Sequence, residues 1–500
     1  MKHFVFIIFI LLTIWAYWPS LQHAPKHDQL GFLADMALRD NAWDRTLGAY
    51  SLNREALFMR SDQFLFRPLL NLWLTSQLFV FGYNFTLWQG MAILLHLLVG
   101  FSLYRLLNTI RSGISAAVVA GFFLLMLPNL PMVVWHNISA YMIFCVFILE
   151  GILRWLRFHR NREDLSSLWS CILFLLLGSF IFEAGVAFCL CFAVVSAFTD
   201  RSRQWFILFL LPIFIYFFIN ITDFLLRNSI MHPESGRIAS RVFSVDTILN
   251  VVIAFKWFLT TGIFLKAAEI IPIERVAVSP FTLDLQWPFT ALNVYVFRGL
   301  LVLGLFFSGV VYSRAHLSPE KRKLIVLLFS MILSLTLFIC LGRVNSRGLL
   351  TGLVLNSYYI YFFWVIALPM AYAFLSLDNI SARPDGLFIR TGAYFLCMGM
   401  ILVNALSIQD VNTMIARLDK PRRNFLDATT SFVSQHRHEK DFSFFVPHTC
   451  PGNYAGKWLH KASDPLWRRY TLAEALYPGS YTVINPKYIL CRSKGQGNEH

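Results

Sequence analysis

Charged side chains are scarce in this 500-residue chain, where Asp, Glu, Lys and Arg together make up 14%. A soluble globular domain carries about 25%, so this composition does not fit a soluble protein. Hydrophobic residues take their place, at 57% of the chain with 49 phenylalanines. They fall in runs of about 17–25 residues, which as helices cross roughly 30 Å of hydrocarbon. The sequence therefore predicts an all-α polytopic membrane protein.

The chain also lacks a CxxC pair, so its eight cysteines indicate neither a structural metal site nor a dithiol redox site. Cys450 and Cys491 lie in the polar C-terminal tail. In an oxidising compartment they could form a disulfide, and two unpaired thiols are the alternative. The other six lie in apolar runs, where cysteine behaves as a small hydrophobic residue: Cys145, Cys171, Cys189, Cys191, Cys340 and Cys397.

Acidic residues are fewer than basic ones, and the net charge is +15. Most arginines lie in short loops between apolar runs, where the positive-inside bias of membrane proteins places them. The charge therefore predicts membrane lipids as neighbours and no nucleic-acid partner.

The basic clusters also predict the topology. The first apolar run follows Lys2 without a small-x-small cleavage pattern, so it is predicted to be an uncleaved helix with a cytoplasmic N-terminus. Residues 64–81 and 242–271 are predicted to be interfacial, because a crossing at either would move later basic clusters outside. About eleven transmembrane helices result. Two of them are the first helix and a helix that precedes the basic cluster at Arg154. The other nine are 85–107, 113–130, 165–182, 184–198, 205–221, 294–312, 323–341, 350–376 and 389–407.

Two domains follow from this topology. Residues 1–407 form the transmembrane domain, with outer loops at 19–84 and 223–292. Residues 408–500 have short apolar runs between turn-rich pieces and are predicted to form a small extracytoplasmic α/β domain. The predicted location is the bacterial inner membrane, with the C-terminal domain in the periplasm.

Polar side chains gather on the predicted outer side. An acid in the first outer loop could act as general base toward an acceptor hydroxyl, and arginines at the membrane surface could hold a phosphate bidentately. This combination suits a reaction on a lipid-linked phosphate. The residues are Asp28, Asp35, Arg67, His136, Glu183 and Arg343.

These residues lie in short motifs that follow one another over roughly residues 1–375. In chain order the motifs are His27-Asp28-Gln29, Phe66-Arg67-Pro68-Leu69-Leu70, Phe81-Gly82-Tyr83-Asn84, Leu94-Leu95-His96, Val134-Trp135-His136-Asn137, Phe182-Glu183-Ala184-Gly185, Gly342-Arg343 and Ser357-Tyr358-Tyr359. The set resembles the GT-C superfamily of polyprenyl-phosphate-sugar-dependent glycosyltransferases, which includes the protein O-mannosyltransferases.

The resemblance implies transfer of a sugar from a polyprenyl-phosphate donor to a lipid, glycan or protein acceptor outside the cytoplasm. It implies catalytic roles for Asp28 and Glu183, and donor-phosphate binding by Arg67 and Arg343. Asp35, His136 and Tyr358 would line the site.

Two positions depart from the family. Its acidic motif usually pairs two acids, whereas Asp28 stands between His27 and Gln29, so the use of a divalent metal stays open and no metal ligand is assigned. The arginine expected before the late tyrosine is replaced by Ser357 or Tyr358.

Other interpretations stay open. The chain as a whole could be a transporter or flippase of lipid-linked saccharide, or a polysaccharide polymerase or ligase. Arg67 could extend to the lipid headgroups, and Glu183 could simply begin a helix, where acids favour the dipole. His96, well inside a span, is interpreted as a hydrogen-bonding residue in helix packing.

Overall fold

A computed structural model describes residues 2–24, 67–82, 84–200, 203–226, 250–251, 254, 318–340, 359–375, 398–417, 419–420, 423–424, 444–445 and 488–489. These residues are mostly helical, as the sequence predicts. The helices are α1 Lys2–Tyr17, α2 Pro68–Phe81, α3 Phe85–Ile110, α4 Ile114–Leu124, α5 Leu130–Val134, α6 Ala140–Arg160, α7 Leu165–Ser179, α8 Ala184–Asp200, α9 Arg203–Leu226, α10 Pro319–Ile339, α11 Tyr359–Leu375 and α12 398–417. Short 3-10 turns occupy Trp18–Gln22, Leu127–Asn129 and His136–Ile138.

Three helices within the described ranges are long and apolar enough to cross a membrane. They are α1 extended by its 3-10 turn (Lys2–Gln22), α3 and α10, with 21, 26 and 21 residues. At 1.5 Å per residue α3 is about 39 Å long, more than the hydrocarbon thickness. The bent pair of α4 with Leu127–Val134 would be a fourth.

The other predicted spans are reproduced only in part. Shorter apolar helices occupy the predicted spans 165–182, 184–198, 205–221 and 350–376. The predicted span 294–312 and most of the interfacial segment 242–271 lie outside the described residues. The count of eleven spans stays a prediction.

Apolar side chains form exposed stripes along two of the candidate spans, α1 and α10. Residues spaced three or four apart lie on one face of a helix. A continuous exposed apolar face is unusual for a helix in water and typical of contact with another apolar phase. On α1 the stripe is Phe4, Ile7, Ile8 and Leu11, and on α10 it is Val326, Phe329, Leu333 and Leu337.

The region predicted as one span, residues 113–130, is bent, a feature that the sequence prediction did not include. α4 ends at Leu124, and the helical residues that resume at Leu127 run at 53° to it. Pro128 lies at this break; proline has no N–H and disfavours helical geometry in the residue before it. The predicted outer loop 131–137 is also partly helical, since α5 covers Leu130–Val134.

Side chains bind the backbone groups that the break leaves without helical partners. The Leu124 carbonyl accepts from His96 Nε2 at 2.9 Å, and the Leu127 N–H donates to Asn404 Oδ1 at 3.2 Å. Because a carbonyl only accepts, His96 Nε2 carries the proton and Nδ1 accepts from the Tyr361 hydroxyl at 2.9 Å. The interpretation of His96 as a packing hydrogen-bonder is confirmed.

The chain divides into two compact units, and unit 1 comprises Met1–Tyr17, Ile93–Val133 and Tyr141–Val411. Within it α8 packs against α7, α9 and α10, and α10 packs against α11. α1 packs against α4, where a Cβ on Gly121 would lie 2.3 Å from the Phe9 ring. Glycine at this position therefore allows the two helices to approach closely.

Aromatic side chains form the core of unit 1 around Phe182, which is fully buried. Ring pairs at such distances add to the stabilisation from burial itself. Rings with centroids 5.2–6.0 Å from that of Phe182 belong to Tyr141, Phe144, Phe338, Tyr359 and Phe362.

Ion pairs join helices of unit 1 near ends that the sequence predicts to be cytoplasmic. Arg105 on α3 pairs with the buried Glu150 on α6 at 2.5 Å. Arg160, at the end of α6, pairs with Glu320 on α10 at 3.1 Å and donates to the Thr109 carbonyl at 3.0 Å. Charged hydrogen bonds therefore connect the C-terminal ends of α3 and α6 with the N-terminal end of α10.

Unit 2 comprises Trp18–Ala92, Val134–Ala140 and Asn412–His500. Strands β1 Phe444–Phe445 and β2 Tyr488–Ile489 pair in parallel within it. Both strands lie in apolar runs of the predicted α/β domain, which otherwise stays a prediction together with the boundary at residue 408.

Candidate functional site

A 3-10 turn follows α1 and accepts hydrogen bonds from residues of other segments. The turn covers Trp18–Gln22, and its Ser20 hydroxyl accepts from Gln89 Nε2 at 3.0 Å. Ser20, His23 and Gln89 are all fully buried. Buried polar side chains therefore hydrogen-bond to this turn, although Trp18 and Gln22 within it are exposed.

Residues 412–424 supply further bonds to the chain just after α1. Arg423 donates through Nη1 to the Leu21 carbonyl at 2.7 Å and through Nη2 to the Thr86 hydroxyl. The Ala24 N–H donates to Asp419 Oδ2 at 3.2 Å. The sequence motifs did not identify Asp419 or Arg423, because an arginine in a basic stretch is typical of a surface that faces lipid headgroups.

Arg67, a predicted phosphate ligand, immediately precedes α2. Pro68 occupies the first helical position, which suits its fixed φ and missing N–H. The Arg67 residue is buried, with 7% of its surface exposed. A buried guanidinium needs polar or anionic partners, so Arg67 is not simply an arginine that reaches into solvent.

One face of α2 is buried and contains a glutamine. Leu70, Leu74 and Gln77 follow helical spacing, and Gln77 is 3% exposed. Within the described residues, neither amide atom of Gln77 has a hydrogen-bond partner. Trp73, one turn earlier, donates to the Ser139 hydroxyl at 3.0 Å. An amide buried in this way can bind a polar ligand without losing an existing bond.

His136, a predicted site-lining residue, lies in the segment that α2 contacts through Ser139. Its side chain is 1% exposed, and its ring stacks on Phe85 with centroids 6.5 Å apart. Arg67 and His136 are thus both buried residues of unit 2.

Glu183 lies in the turn before α8, in unit 1. Its carbonyl accepts from the Val186 N–H at 3.0 Å, which is the first turn of the helix. The side chain is half-buried. A Cβ on Gly185 would lie 2.7 Å from the Ser179 backbone, so glycine permits the tight turn. This geometry agrees with Glu183 as a helix-starting acid, and its role in the site stays a prediction.

The remaining predicted site residues lie outside the described residues: Asp28, Asp35, Arg343 and Tyr358, together with Cys450 and Cys491 of the proposed disulfide. In the described part of the chain, no group of three His, Cys, Asp or Glu side chains could hold a metal ion.

No protein-family model matches the chain, and no curated protein matches its sequence. The resemblance to GT-C enzymes rests on the motifs within residues 1–375.

Proposed function

We propose that this chain is an integral membrane glycosyltransferase with about eleven spans. It transfers a sugar from a polyprenyl-phosphate donor to an acceptor hydroxyl outside the cytoplasm. Three helices of sufficient length and the exposed apolar stripes of α1 and α10 support the membrane location. The bacterial inner membrane, with the C-terminus in the periplasm, is the location that the charge distribution favours.

The reaction is a displacement at the anomeric carbon of the sugar. The acceptor oxygen bonds to that carbon while the bond from the carbon to the donor phosphate oxygen breaks. The acceptor proton passes to the carboxylate of Asp28, which acts as general base. Arg67 and Arg343 stabilise the departing polyprenyl phosphate, and Glu183 helps line the site. Because the donor phosphate is already at the membrane surface, no nucleotide sugar has to reach the outer side.

The observation that carries this proposal is the buried Arg67 within the motif Arg67-Pro68-Leu69-Leu70. Arginine binds phosphate with two parallel hydrogen bonds, and water exclusion strengthens each of them. The buried Gln77 lies on α2, ten residues after Arg67. Its amide can donate to and accept from a sugar hydroxyl.

A transporter of lipid-linked saccharide is the second candidate, and the bent span favours it. Transporters bind substrates where a membrane helix is interrupted, and α4 is interrupted at Leu125–Met126 with a 53° bend. In this chain, however, side chains already bind the Leu124 carbonyl and the Leu127 N–H at the break.

One experiment separates the two functions. The purified chain is reconstituted into vesicles with polyprenyl-phosphate mannose that carries label in the sugar, and a membrane extract supplies acceptors. The proposal predicts that label leaves the lipid, enters acceptor material and releases polyprenyl phosphate. If label instead becomes accessible on the opposite leaflet while it stays on its lipid, the chain is a transporter. A pentose donor tested in parallel assigns the sugar class.

A further inference from the structure

We propose that unit 1 binds an anionic phospholipid where α6 ends and α7 begins. The site, here called the lipid site, consists of two arginines of α6 and an exposed apolar face of α7: Arg154, Arg157, Leu165, Trp169 and Leu173. The inference rests on the membrane location of the chain and is independent of sugar transfer.

The start or end of several helices meets at one end of unit 1, as the hydrogen bonds between them show. Lys2, at the start of α1, donates to the Ser112 hydroxyl just after α3 at 2.7 Å. Arg160, at the end of α6, donates to the Thr109 carbonyl of α3 and pairs with Glu320 at the start of α10. This end is here called the basic end.

Positive charge is in excess at the basic end. Ten cations and four acids lie there among the described side chains: Lys2, Arg105, Arg111, Arg154, Arg157, Arg160, Arg162, Lys321, Arg322 and Lys323, with Glu150, Glu163, Asp164 and Glu320. Elsewhere in unit 1, the described charged side chains are the acids Glu183 and Asp410. A cluster of cations beside a bilayer attracts anionic headgroups.

Arg154 differs from the arginines of the basic end that form ion pairs. Arg105 pairs with Glu150 at 2.5 Å, so its charge is used within the protein. Arg154 is half-buried, and its buried Nε has no hydrogen-bond partner in the described part of the chain. An N–H that is buried without an acceptor is unfavourable. An acceptor from outside the protein, such as a phosphate oxygen, fits this position.

Arg157 extends the site by a second guanidinium. It follows Arg154 by three residues, so the two lie side by side on α6, and Arg157 is exposed. Both lie within electrostatic reach of Asp164, whose pKa they lower after the larger effect of hydrogen bonds from Ser167. Because both Asp164 oxygens accept from Ser167, the carboxylate serves the cap of α7. Two guanidinium groups and one carboxylate leave a single positive charge, which matches one phosphate diester.

The apolar face of α7 begins beside these arginines. Leu165, Trp169 and Leu173 are spaced four apart, so they lie on one face of the helix, and each is 52% exposed. Tryptophan one turn from a charged helix end is typical of the boundary between membrane and water. α6 packs along α7, with the Phe147 and Phe174 ring centroids 5.8 Å apart. Phosphate ligands followed by an apolar face match a phospholipid better than a free phosphate.

The test measures lipid binding by the full chain, purified in a neutral detergent at 0.15 M salt. The probe is phosphatidylglycerol with brominated acyl chains, which quench tryptophan fluorescence on contact. Phosphatidylcholine with the same chains is the neutral control lipid. We expect the Kd for phosphatidylglycerol to be lower by about tenfold or more. Trp169→Phe should remove part of the quenching, because Trp169 lies on the chain-binding face.

Variants of single cations locate the site. Arg154→Gln should raise the Kd for phosphatidylglycerol about tenfold and Arg157→Gln about fivefold, with the Kd for phosphatidylcholine unchanged. Arg154→Lys should recover only part of the loss, since lysine keeps the charge without the planar guanidinium. Lys2→Gln is the charge-matched control and should stay within about twofold, because Lys2 already donates to Ser112. If Arg154→Gln fails to fold, Arg157→Gln at its exposed position decides.

Several results would overturn the lipid site. Equal Kd values for the two lipids in the wild type contradict headgroup recognition. An equal loss in Lys2→Gln shows attraction by diffuse charge. Quenching that Trp169→Phe leaves unchanged contradicts the face on α7, and full competition by glycerol phosphate assigns the arginines to a soluble anion. Because no sugar donor is present, each of these failures leaves the proposed glycosyltransferase reaction standing.

Discussion

Two buried glutamines in unit 2 differ in whether the amide nitrogen is hydrogen-bonded within the described residues. Gln89 is fully buried and donates to the Ser20 hydroxyl at 3.0 Å. Gln77 is nearly as buried, yet its amide has no partner among the described residues. A buried polar group without a partner costs about 1–3 kcal/mol, so protein stability alone does not account for a glutamine at position 77.

We expect Gln77→Leu to raise the free energy of unfolding by about 1 kcal/mol, since leucine removes the unsatisfied amide. Gln89→Leu should lower it by a similar amount, because the hydrogen bond from Gln89 Nε2 to the Ser20 hydroxyl is lost. Chemical denaturation in detergent measures both. A destabilised Gln77→Leu variant would contradict the assignment of an unsatisfied amide.

Asp164 gives a prediction about pH. It caps α7 by accepting from the Ser167 hydroxyl at 2.5 Å and the Ser167 N–H at 3.0 Å. These hydrogen bonds hold the pKa of the Asp164 carboxyl below its ordinary value. Because the folded pKa is depressed, the stabilisation is fully present above the unfolded pKa of about 3.9 and is lost as pH falls through the folded pKa.

Asp164→Ala should therefore lower the melting midpoint at pH 7, and the difference from the wild type should shrink below the ordinary carboxyl pKa. Glu163→Ala, which changes the exposed acid next to it, is the control. Melting curves between pH 7 and pH 3 measure the effect. A difference that stays constant over this range would show that the ionised carboxylate contributes nothing to the cap.

Helix packing in unit 1 depends on a glycine contact. At Gly121 an added Cβ would lie 2.3 and 2.4 Å from atoms of the Phe9 ring, close to the attachment of the ring. A ring held at its base cannot move aside cheaply. The contact therefore sets the separation of α1 and α4.

We expect Gly121→Ala to lower the free energy of unfolding by about 1–3 kcal/mol through overpacking. Gly399→Ala is the matched control, because a Cβ there meets nothing within 4 Å and alanine favours helices. The double variant of Phe9→Ala with Gly121→Ala should be less destabilised than the sum of the two single variants, since the added methyl group enters the space that the ring leaves. Equal stability of the two alanine variants would contradict the close approach of α1 and α4.

Much of the helix pattern is predictable from the sequence because apolar run length is a local property. The predicted span 85–107 corresponds to α3, and 184–198 corresponds to α8. The bend after Leu124 is not visible in hydrophobicity, since the run stays apolar through it. Pro128 and Pro131 are the signal that could have identified it.

The candidate site is less predictable, because its contacts join distant segments. Arg67 and His136 were selected from motifs and are buried in unit 2. Asp419, Arg423 and Gln77 were missed, since nothing local marks an arginine that will bond a backbone carbonyl 402 positions earlier. Pairing of this kind depends on tertiary packing.

For the whole molecule, the charge distribution predicts that Asp28, Arg67, Glu183 and Arg343 lie on one side of the membrane. A reporter enzyme fused after His500 should therefore score as non-cytoplasmic, because eleven spans and a cytoplasmic N-terminus put the C-terminus outside. A fusion after Arg160 is the control and should score as cytoplasmic. A cytoplasmic score at His500 would contradict the span count.

Sugar transfer with Asp28 as the base is the central claim, and Asp28→Asn tests it most directly. Asparagine keeps the size of the side chain and removes its basicity. With polyprenyl-phosphate mannose as donor and equal amounts of reconstituted protein, we expect kcat to fall by about 10²- to 10⁴-fold, the usual contribution of a general base. Full transfer by Asp28→Asn at unchanged expression would contradict the mechanism.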